Sequence, residues 1–595
     1  MVMTRRRVLY VLLVLTFTIG ILGLMGLALA PSGLGLLDWS IMAVFAVVAP
    51  WLSIGFCNAL VGVWLTLFSK APWQPLPANV QAEPLLLADE TEPPSKKTAL
   101  LLCIRNETPA RLVRNLDLML ASLVAQGAQA RFHLYVLSDT SEGPGAAREA
   151  LAIDAVADRW RTHVDLTYRR RAVNTGFKAG NIDAFCQQWG DAHELAVVLD
   201  ADSLMSAKAL EHLVQIMQAN PQVGILQGLV VGLPSGNAFT RLFQFGMRLG
   251  MRSYTLGSAW WQGDCGPYWG HNAVIRLAPF MAHCQLPVWQ NRRGQLVHVL
   301  SHDQLEAVLM RRAGYEVRVY PLEDESFEEN PPNLIDFIHR DLRWCAGNLQ
   351  YVSFLNLPGL KATSRIQLFL AVMMFLLGPA WLLGTGLFIA LIGQSAQIST
   401  VLDVTYAWPL LAAIWVMTLM PKLGSAILVL LRSDQRRAFG GAIRFMPSLF
   451  AETLFSTLIS PIMWVSQTLY MIGALFGKRL GWTTQNRDEP SLSWLRAIKT
   501  FWAHTLIGLL AAVPLALTHP MALLPIALFV AGLWLAIPFA VLSAHPLLGR
   551  VMQRRGWLAT PDEVQPCAFI KALTVVADPP AIISDVTQAH FESGR

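Results

Sequence analysis

The sequence predicts a doubly wound α/β domain inserted between α-helical membrane segments, and three observations carry that prediction. The 595 residues are 54% hydrophobic and only 14% charged, whereas soluble chains sit near a quarter charged. The apolar residues are unevenly spread: 8–30 and 38–68 are almost uncharged, 70–365 have the mix of a soluble domain, and long apolar runs return over 366–545. Within 70–365, short apolar strands alternate with helical periodicity, the pattern of a sheet covered by helices.

Residues 1–69 supply two spans, each with the ~20 apolar residues that cross a bilayer. Arg5-Arg6-Arg7, an apolar stretch and Ala28-Leu29-Ala30 imitate a cleavable leader. The apolar stretch is longer than the roughly 7–15 residues of a leader core, so a retained span entering from the cytoplasm is expected. A linker over 70–97 carries Pro72, Pro75, Pro77, Pro84, Pro93 and Pro94. The domain follows at 98–365. Its first strand is read at 98–104, an amphipathic helix at 111–126, and further strands at 132–137 and 195–199. Ligands of such sheets bind at the carboxyl ends of the strands.

Two spans return within 366–433. Over 434–477, Pro461 splits the apolar run and Arg444, Glu452 and Gln467 interrupt it. A bare charge in lipid costs at least about 3 kcal/mol, so two interfacial or re-entrant helices are expected there, a two-span hairpin being the alternative. A cytoplasmic loop at 478–500, two spans within 501–545 and a cytoplasmic tail at 546–595 complete a count of six spans, or eight with the hairpin.

The net charge of +6 does not imply nucleic acid. Arg5-Arg6-Arg7, Arg436-Arg437, Lys478-Arg479 and Arg554-Arg555 sit at membrane edges, the positive-inside pattern that orients a membrane protein. The seven cysteines include no Cys-x-x-Cys pair, so neither a disulfide framework nor a zinc site is expected.

Asp200-Ala201-Asp202 directly follows the 195–199 strand. A carboxylate pair there can hold a divalent cation against a diphosphate; taken alone, such a pair is as well a solvated turn. Asn106-Glu107 and Asp139 follow the two earlier strands, where they can converge on a base and ribose. Lys178-Ala179-Gly180-Asn181 adds a cation and close backbone approach for a diphosphate. Singly these are turns or caps; in this order they compose a nucleotide-sugar site. Ser301-His302-Asp303 opens a helical run at 304–312. It is either an N-cap or a general base, Asp303, for a sugar hydroxyl. Arg340-Asp341-Leu342-Arg343-Trp344 ends the domain, with arginines to offset diphosphate charge and Trp344 to stack on a sugar. A basic helix with an interfacial Trp is the plainer alternative.

This ordered set resembles the membrane-integrated family-2 glycosyltransferases, the group that contains cellulose and hyaluronan synthases. Two departures narrow the likeness: Ser301-His302-Asp303 stands for their Thr-Glu-Asp, and Arg340 stands where their Gln would be. With Tyr268-Trp269-Gly270-His271-Asn272, Met310–Gly314 and Pro331-Pro332-Asn333-Leu334, the sequence is similar to the glucans biosynthesis glucosyltransferase H family. The resemblance covers roughly 98–495.

The resemblance implies a glycosyltransferase-A-type cytoplasmic domain in the bacterial inner membrane, surrounded by inner-membrane lipid. It implies UDP-glucose as donor, a growing β-1,2-linked glucan as acceptor, and Mg²⁺ (or Mn²⁺) on Asp200 and Asp202. The implied donor contacts are Asn106, Glu107, Asp139, Lys178, Asn181, Asp200, Arg340 and Arg343. Those for the acceptor are Trp344, Tyr268, Trp269 and His271, with Asp303 as base. Trp482, Thr483, Thr484, Gln485 and Arg487 become a gating loop, or a plain polar connector. Acyl carrier protein and a periplasmic glucan-processing protein are partners only through this likeness.

Overall fold

The computed structural model describes residues 2–69, 96–290, 294–395, 397–477 and 491–575. The gating-loop residues Trp482, Thr483, Thr484, Gln485 and Arg487 lie outside these, as does 70–95 of the linker.

Ten strands are described: β1 Thr98–Ile104, β2 Phe132–Ser138, β3 Asp165–Arg170, β4 Leu195–Asp200, β5 Leu204–Met205, β6 Val223–Gly232, β7 Ala273–Arg276, β8 Trp289–Gln290, β9 Leu296–Val297 and β10 Glu316–Glu328. Eight form one sheet in the order β3-β2-β1-β4-β7-β6-β10-β5, while β8 and β9 pair separately. The half from β3 to β4 is parallel, as a doubly wound domain requires. The other half is mixed, because β7 runs antiparallel to both β4 and β6. The helix Ala238–Gln262 that joins β6 to β7 packs on the apolar helices Leu36–Phe68, Val404–Leu431 and Ala442–Leu475. It is therefore no simple crossover, and the chain re-enters the sheet from the opposite end.

The parallel strands bury apolar residues on both faces. Leu100, Leu102, Leu134 and Val197 pack under the helices Pro109–Ala125 and Ala207–Ala219. Leu101, Val198 and Ile225 face Ile182, Phe185 and Val308. Leu368 and Val372, from the apolar helix Ala362–Gly393, belong to that second cluster. One membrane-type helix is thus part of the α/β domain's own core.

Among the described residues, six helices are long and apolar enough to cross a membrane: Met3–Ser32, Leu36–Phe68, Ala362–Gly393, Val404–Leu431, Ala442–Leu475 and Trp494–Thr518. Six spans, or eight with a hairpin, were expected; the described residues give six, or seven if one bent pair counts as a span, and the membership differs. The break foreseen at Pro461 is absent, and Ala442–Leu475 is one helix of 34 residues. Its polar residues are not bare: Glu452 pairs with Lys422 of the neighbouring helix, and Gln467 bonds Asp341. The second span foreseen within 501–545 is two helices, Pro520–Trp534 and Ala536–Ser543, apolar enough together but bent by 61°, a broken span or a re-entrant loop.

The segment after the last apolar helix returns to the domain. Arg241, wholly buried, donates to Glu563 Oε1 at 2.7 Å and to the carbonyls of Ser235 at 2.9 Å and Trp557 at 2.7 Å. Phe569 and Ile570 complete the first apolar cluster. Breaking a buried pair strands the remaining charge, at about 3–5 kcal/mol. Arg241→Ala is therefore expected to lower the thermal midpoint and to make 556–575 an early target of limited proteolysis. Wild-type resistance in that variant would refute the role.

Candidate active site

The strands β2, β1 and β4 are neighbours, so the residues that follow them meet at one edge of the sheet. Asn106 follows β1 at a φ of 52°, and its backbone N–H donates to Thr140 Oγ1 at 2.7 Å. Asp139 follows β2; its N–H reaches the Ile104 carbonyl at 2.9 Å. Arg171 clasps it in a fork, Nε to Oδ1 at 2.7 Å and Nη2 to Oδ2 at 2.8 Å. Asp139, expected to meet a nucleotide directly, is buried and has both oxygens committed. Arg171 is the group it presents, and a fork of this kind fixes a guanidinium plane. Glu107 is half-buried beside Asn106.

Asp200 ends β4, its N–H held by Ser203 Oγ at 2.9 Å. Lys178, at the start of the helix Phe177–Trp189, ion-pairs with Asp200 and donates to the Gly270 carbonyl at 2.7 Å. Burial opposes the Lys178 charge, but Asp200, Cys103 and Asp202 outweigh it and raise its pKa. Asn181, foreseen as a donor contact, is instead buried. It donates to the Leu137 carbonyl at 2.9 Å and accepts from Arg169, so its amide is spent on the fold.

Gly270 brings the second half of the site in. Its φ of 81° suits glycine, and a Cβ there would stand 3.4 Å from Asp303 Cβ. One residue therefore touches both Lys178 and Asp303. Asp303 begins the helix Asp303–Arg312. The hydroxyls of Ser301 at 2.7 Å and Tyr351 at 3.3 Å both donate to its Oδ1; among the described residues Oδ2 accepts none. Neither Ser301 nor Asp303 caps the helix: the N-cap is His302, with no side-chain cap bond. His302 turns inward to Glu306 at 2.8 Å. Burial lowers its pKa, yet Glu306 raises it to a net increase.

Tyr268, foreseen at the acceptor surface, is 0% exposed and its hydroxyl has no partner among the described residues. It packs in the second apolar cluster, so an acceptor cannot reach it. Trp269 and His271 flank Gly270 and remain half-buried. His271 Nε2 lies 3.7 Å from Glu328 Oε2. Glu328 closes β10 at the same edge of the sheet as Asp200. Burial raises its pKa, with Asp202 and Asp200 acting the same way and His271 and Arg340 opposing. The sequence reading missed Glu328, because β10 itself was not recognised.

Arg340 and Trp344 share the helix Leu334–Leu349. The Arg340 guanidinium lies 4.9 Å from the Trp344 ring centroid, over a ring that is 47% exposed overall. Arg343 is half-buried on the same helix. This helix meets the Ser301 turn at Gly347, where a Cβ would fall 2.8 Å from the Ser301 nitrogen.

Asp200 and Asp202 are half-exposed, hard oxygen donors. Among the described residues no three His, Cys, Asp or Glu stand close enough together to enclose an ion. Two carboxylates leave the remaining positions to phosphate oxygens and water, which suits Mg²⁺ or Mn²⁺. The donor set fits such an ion.

Two family models match: Glycosyl transferase family group 2 over 195–429 and Glycosyl transferase family 2 over 100–283. Glucans biosynthesis glucosyltransferase H of Caulobacter vibrioides is 35% identical over 573 residues, covering 93% of this chain and 84% of that one. Its namesake from Xylella fastidiosa is 32% identical over 552 residues, covering 90% and 85%. Among solved structures, a mannosyltransferase from Pyrobaculum calidifontis in complex with GDP-Man and Mn²⁺ aligns at TM-score 0.45 and 13% identity, over 75% of this chain and 100% of that one.

Proposed function

Because the chain belongs to the glucans biosynthesis glucosyltransferase H family of family-2 glycosyl transferases, we propose that it transfers glucose from UDP-glucose to a growing β-1,2-linked glucan. The observation that carries this is the meeting of Lys178, Asp200 and Asp303 around Gly270. A donor's diphosphate and an acceptor's hydroxyl are thereby brought to one place.

Asn106, Glu107 and the Asp139–Arg171 fork border the uridine. Lys178, Arg340 and Arg343 balance diphosphate charge. A divalent cation held by Asp200 and Asp202, Mg²⁺ or Mn²⁺, supplies further positive charge against the leaving UDP. The terminal glucose of the acceptor stacks on Trp344, with Trp269 and His271 alongside. Asp303 Oδ2 takes the proton of the attacking hydroxyl as its oxygen bonds to C1, while the C1–O bond to the diphosphate breaks. In-line attack inverts the α-linked donor to a β-linkage. One base suffices, because UDP leaves without protonation, unlike the sugar leaving groups that call for paired carboxylates in glycosidases.

The basic clusters at the membrane edges favour a bacterial inner-membrane protein with its catalytic domain in the cytoplasm. A polar glucan then needs a protein path across the lipid, and the apolar helices around Ala362–Gly393, which joins the domain's core, are the adjacent route. The test is to give protein purified in nanodiscs UDP-glucose and Mg²⁺. UDP release with alkali-stable, β-1,2-linked glucan is expected. Another linkage would reassign the chain to a different polysaccharide synthase, and absence of UDP release would end the proposal.

A further inference from the structure

Asp341 stands one residue from Arg340 and one turn before Trp344, on the helix proposed above to hold the acceptor. Its Oδ2 accepts from Gln467 Nε2 at 2.9 Å. Gln467 belongs to Ala442–Leu475, the helix that was expected to be broken. Its other amide atom, Oε1, is seated at a third helix, Ala362–Gly393. A Cβ on Gly378 would fall 2.3 Å from that oxygen and 3.3 Å from Trp464 Cα. One turn on, Trp381 stacks against Trp464, centroids 5.5 Å apart and 9° from parallel. Three helices therefore meet at one amide, beside the Arg340–Trp344 pair.

Stability gives a poor account of this arrangement. Burial pushes the Asp341 carboxyl up to about 6, against the opposing pull of Gln467 and Arg340. Two apolar side chains of similar volume would join the helices at no such cost. What the polar pair adds is direction: a single hydrogen bond weakens steeply as its angle departs from linear. It fixes the rotation of the helix Leu334–Leu349, and with it the face that carries Trp344.

We infer that Asp341 and Gln467 form a positioning joint that sets the sugar-stacking platform of Arg340 and Trp344 against the membrane helices. The acceptor end of the glucan is thereby held in register with the donor. This rests on the proposed function; Asp341 itself touches neither substrate and acts through its neighbours.

The test uses the full chain in nanodiscs, with UDP-glucose, Mg²⁺ and a β-1,2-linked gluco-oligosaccharide as acceptor. Asp341→Leu and Gln467→Leu should each raise the acceptor KM about tenfold, as loss of a hydrogen bond to a charged group warrants. The donor KM should stay within about twofold. The double variant should match either single one, because the two residues act as one unit. Asp341→Asn keeps an oxygen for Gln467 and should restore most of the acceptor affinity.

Gln467→Leu keeps the side-chain volume on an apolar helix and withdraws the donor from Asp341, so it serves where Asp341→Leu fails to fold. An unchanged acceptor KM in a folded variant would overturn the joint. So would equal damage to donor and acceptor parameters without rescue by Asn. Binding of the labelled oligosaccharide by equilibrium dialysis separates this inference from the transfer reaction. Wild-type binding that both leucine variants lose would sustain the joint even if no glucose were transferred. Wild-type protein that binds no oligosaccharide would end it.

Discussion

Asp303→Asn is expected to lower the turnover number by about 10²–10⁴-fold, the usual contribution of a positioned general base, while UDP-glucose affinity stays unchanged. The two carboxylate oxygens have different surroundings. Oδ1 accepts from the hydroxyls of Ser301 and Tyr351, and an asparagine carbonyl can accept both bonds. The amide nitrogen then stands where Oδ2 was and cannot take a proton. The fold, the turn and the donor contacts survive, and only the proton's destination is lost. UDP release and sugar incorporation should fall together, and single-turnover measurements should place the loss in chemistry rather than in product release. Turnover within about tenfold of wild type would remove Asp303 from the role, because a displaced base cannot be that dispensable. Ser301→Ala leaves Tyr351 to orient the carboxylate, so a smaller loss is expected there.

What was legible in the sequence follows from how each element is buried. Strands β1, β2 and β4 lie inside a parallel half-sheet and read as unbroken apolar runs, and their ends led directly to Asn106, Asp139 and Asp200. Strand β3, Asp165–Arg170, lies at the sheet's edge with no fully buried residue, so neither alternation nor a run marks it. Strand β10 carries Pro321 and several register shifts, and its acidic stretch resembles a surface loop. Without β10, nothing places Glu328 at the sheet edge that carries Asp200.

The same limit governs individual side chains. Tyr268 and Trp269 are adjacent aromatic residues in a glycine-rich turn, equally plausible as a sugar platform. Only the packed cluster around Val308 and Leu368 decides that Tyr268 points inward. Glu452 and Gln467 likewise argued against a continuous helix as long as their partners were unknown. Lys422 and Asp341 lie 30 and 126 residues away, beyond any local pattern.

The second large effect concerns Asp200 and Asp202, and it should separate the two carboxylates. Removing one of the preorganised charges at a leaving group typically costs about 10²–10³-fold in turnover. Asp202→Asn should show a loss of that order, and added Mg²⁺ should recover part of it, because Asp200 and the donor's phosphates still offer oxygens. Asp200→Asn should cost more and recover less. Asp200 also pairs with Lys178, and is the main influence holding that half-buried ammonium charged against desolvation. Its loss leaves Lys178 held by the Gly270 carbonyl, with Asp202 as the remaining carboxylate nearby, so the ammonium is no longer fixed in place where the diphosphate must bind. Donor KM should therefore rise in Asp200→Asn and stay nearer wild type in Asp202→Asn. Chelation should silence the wild-type protein, and Mg²⁺ or Mn²⁺ should restore it. Full activity in a chelator would exclude the ion. Equal, metal-insensitive losses in both variants would mean that the pair shapes the turn after β4 instead of holding a cation.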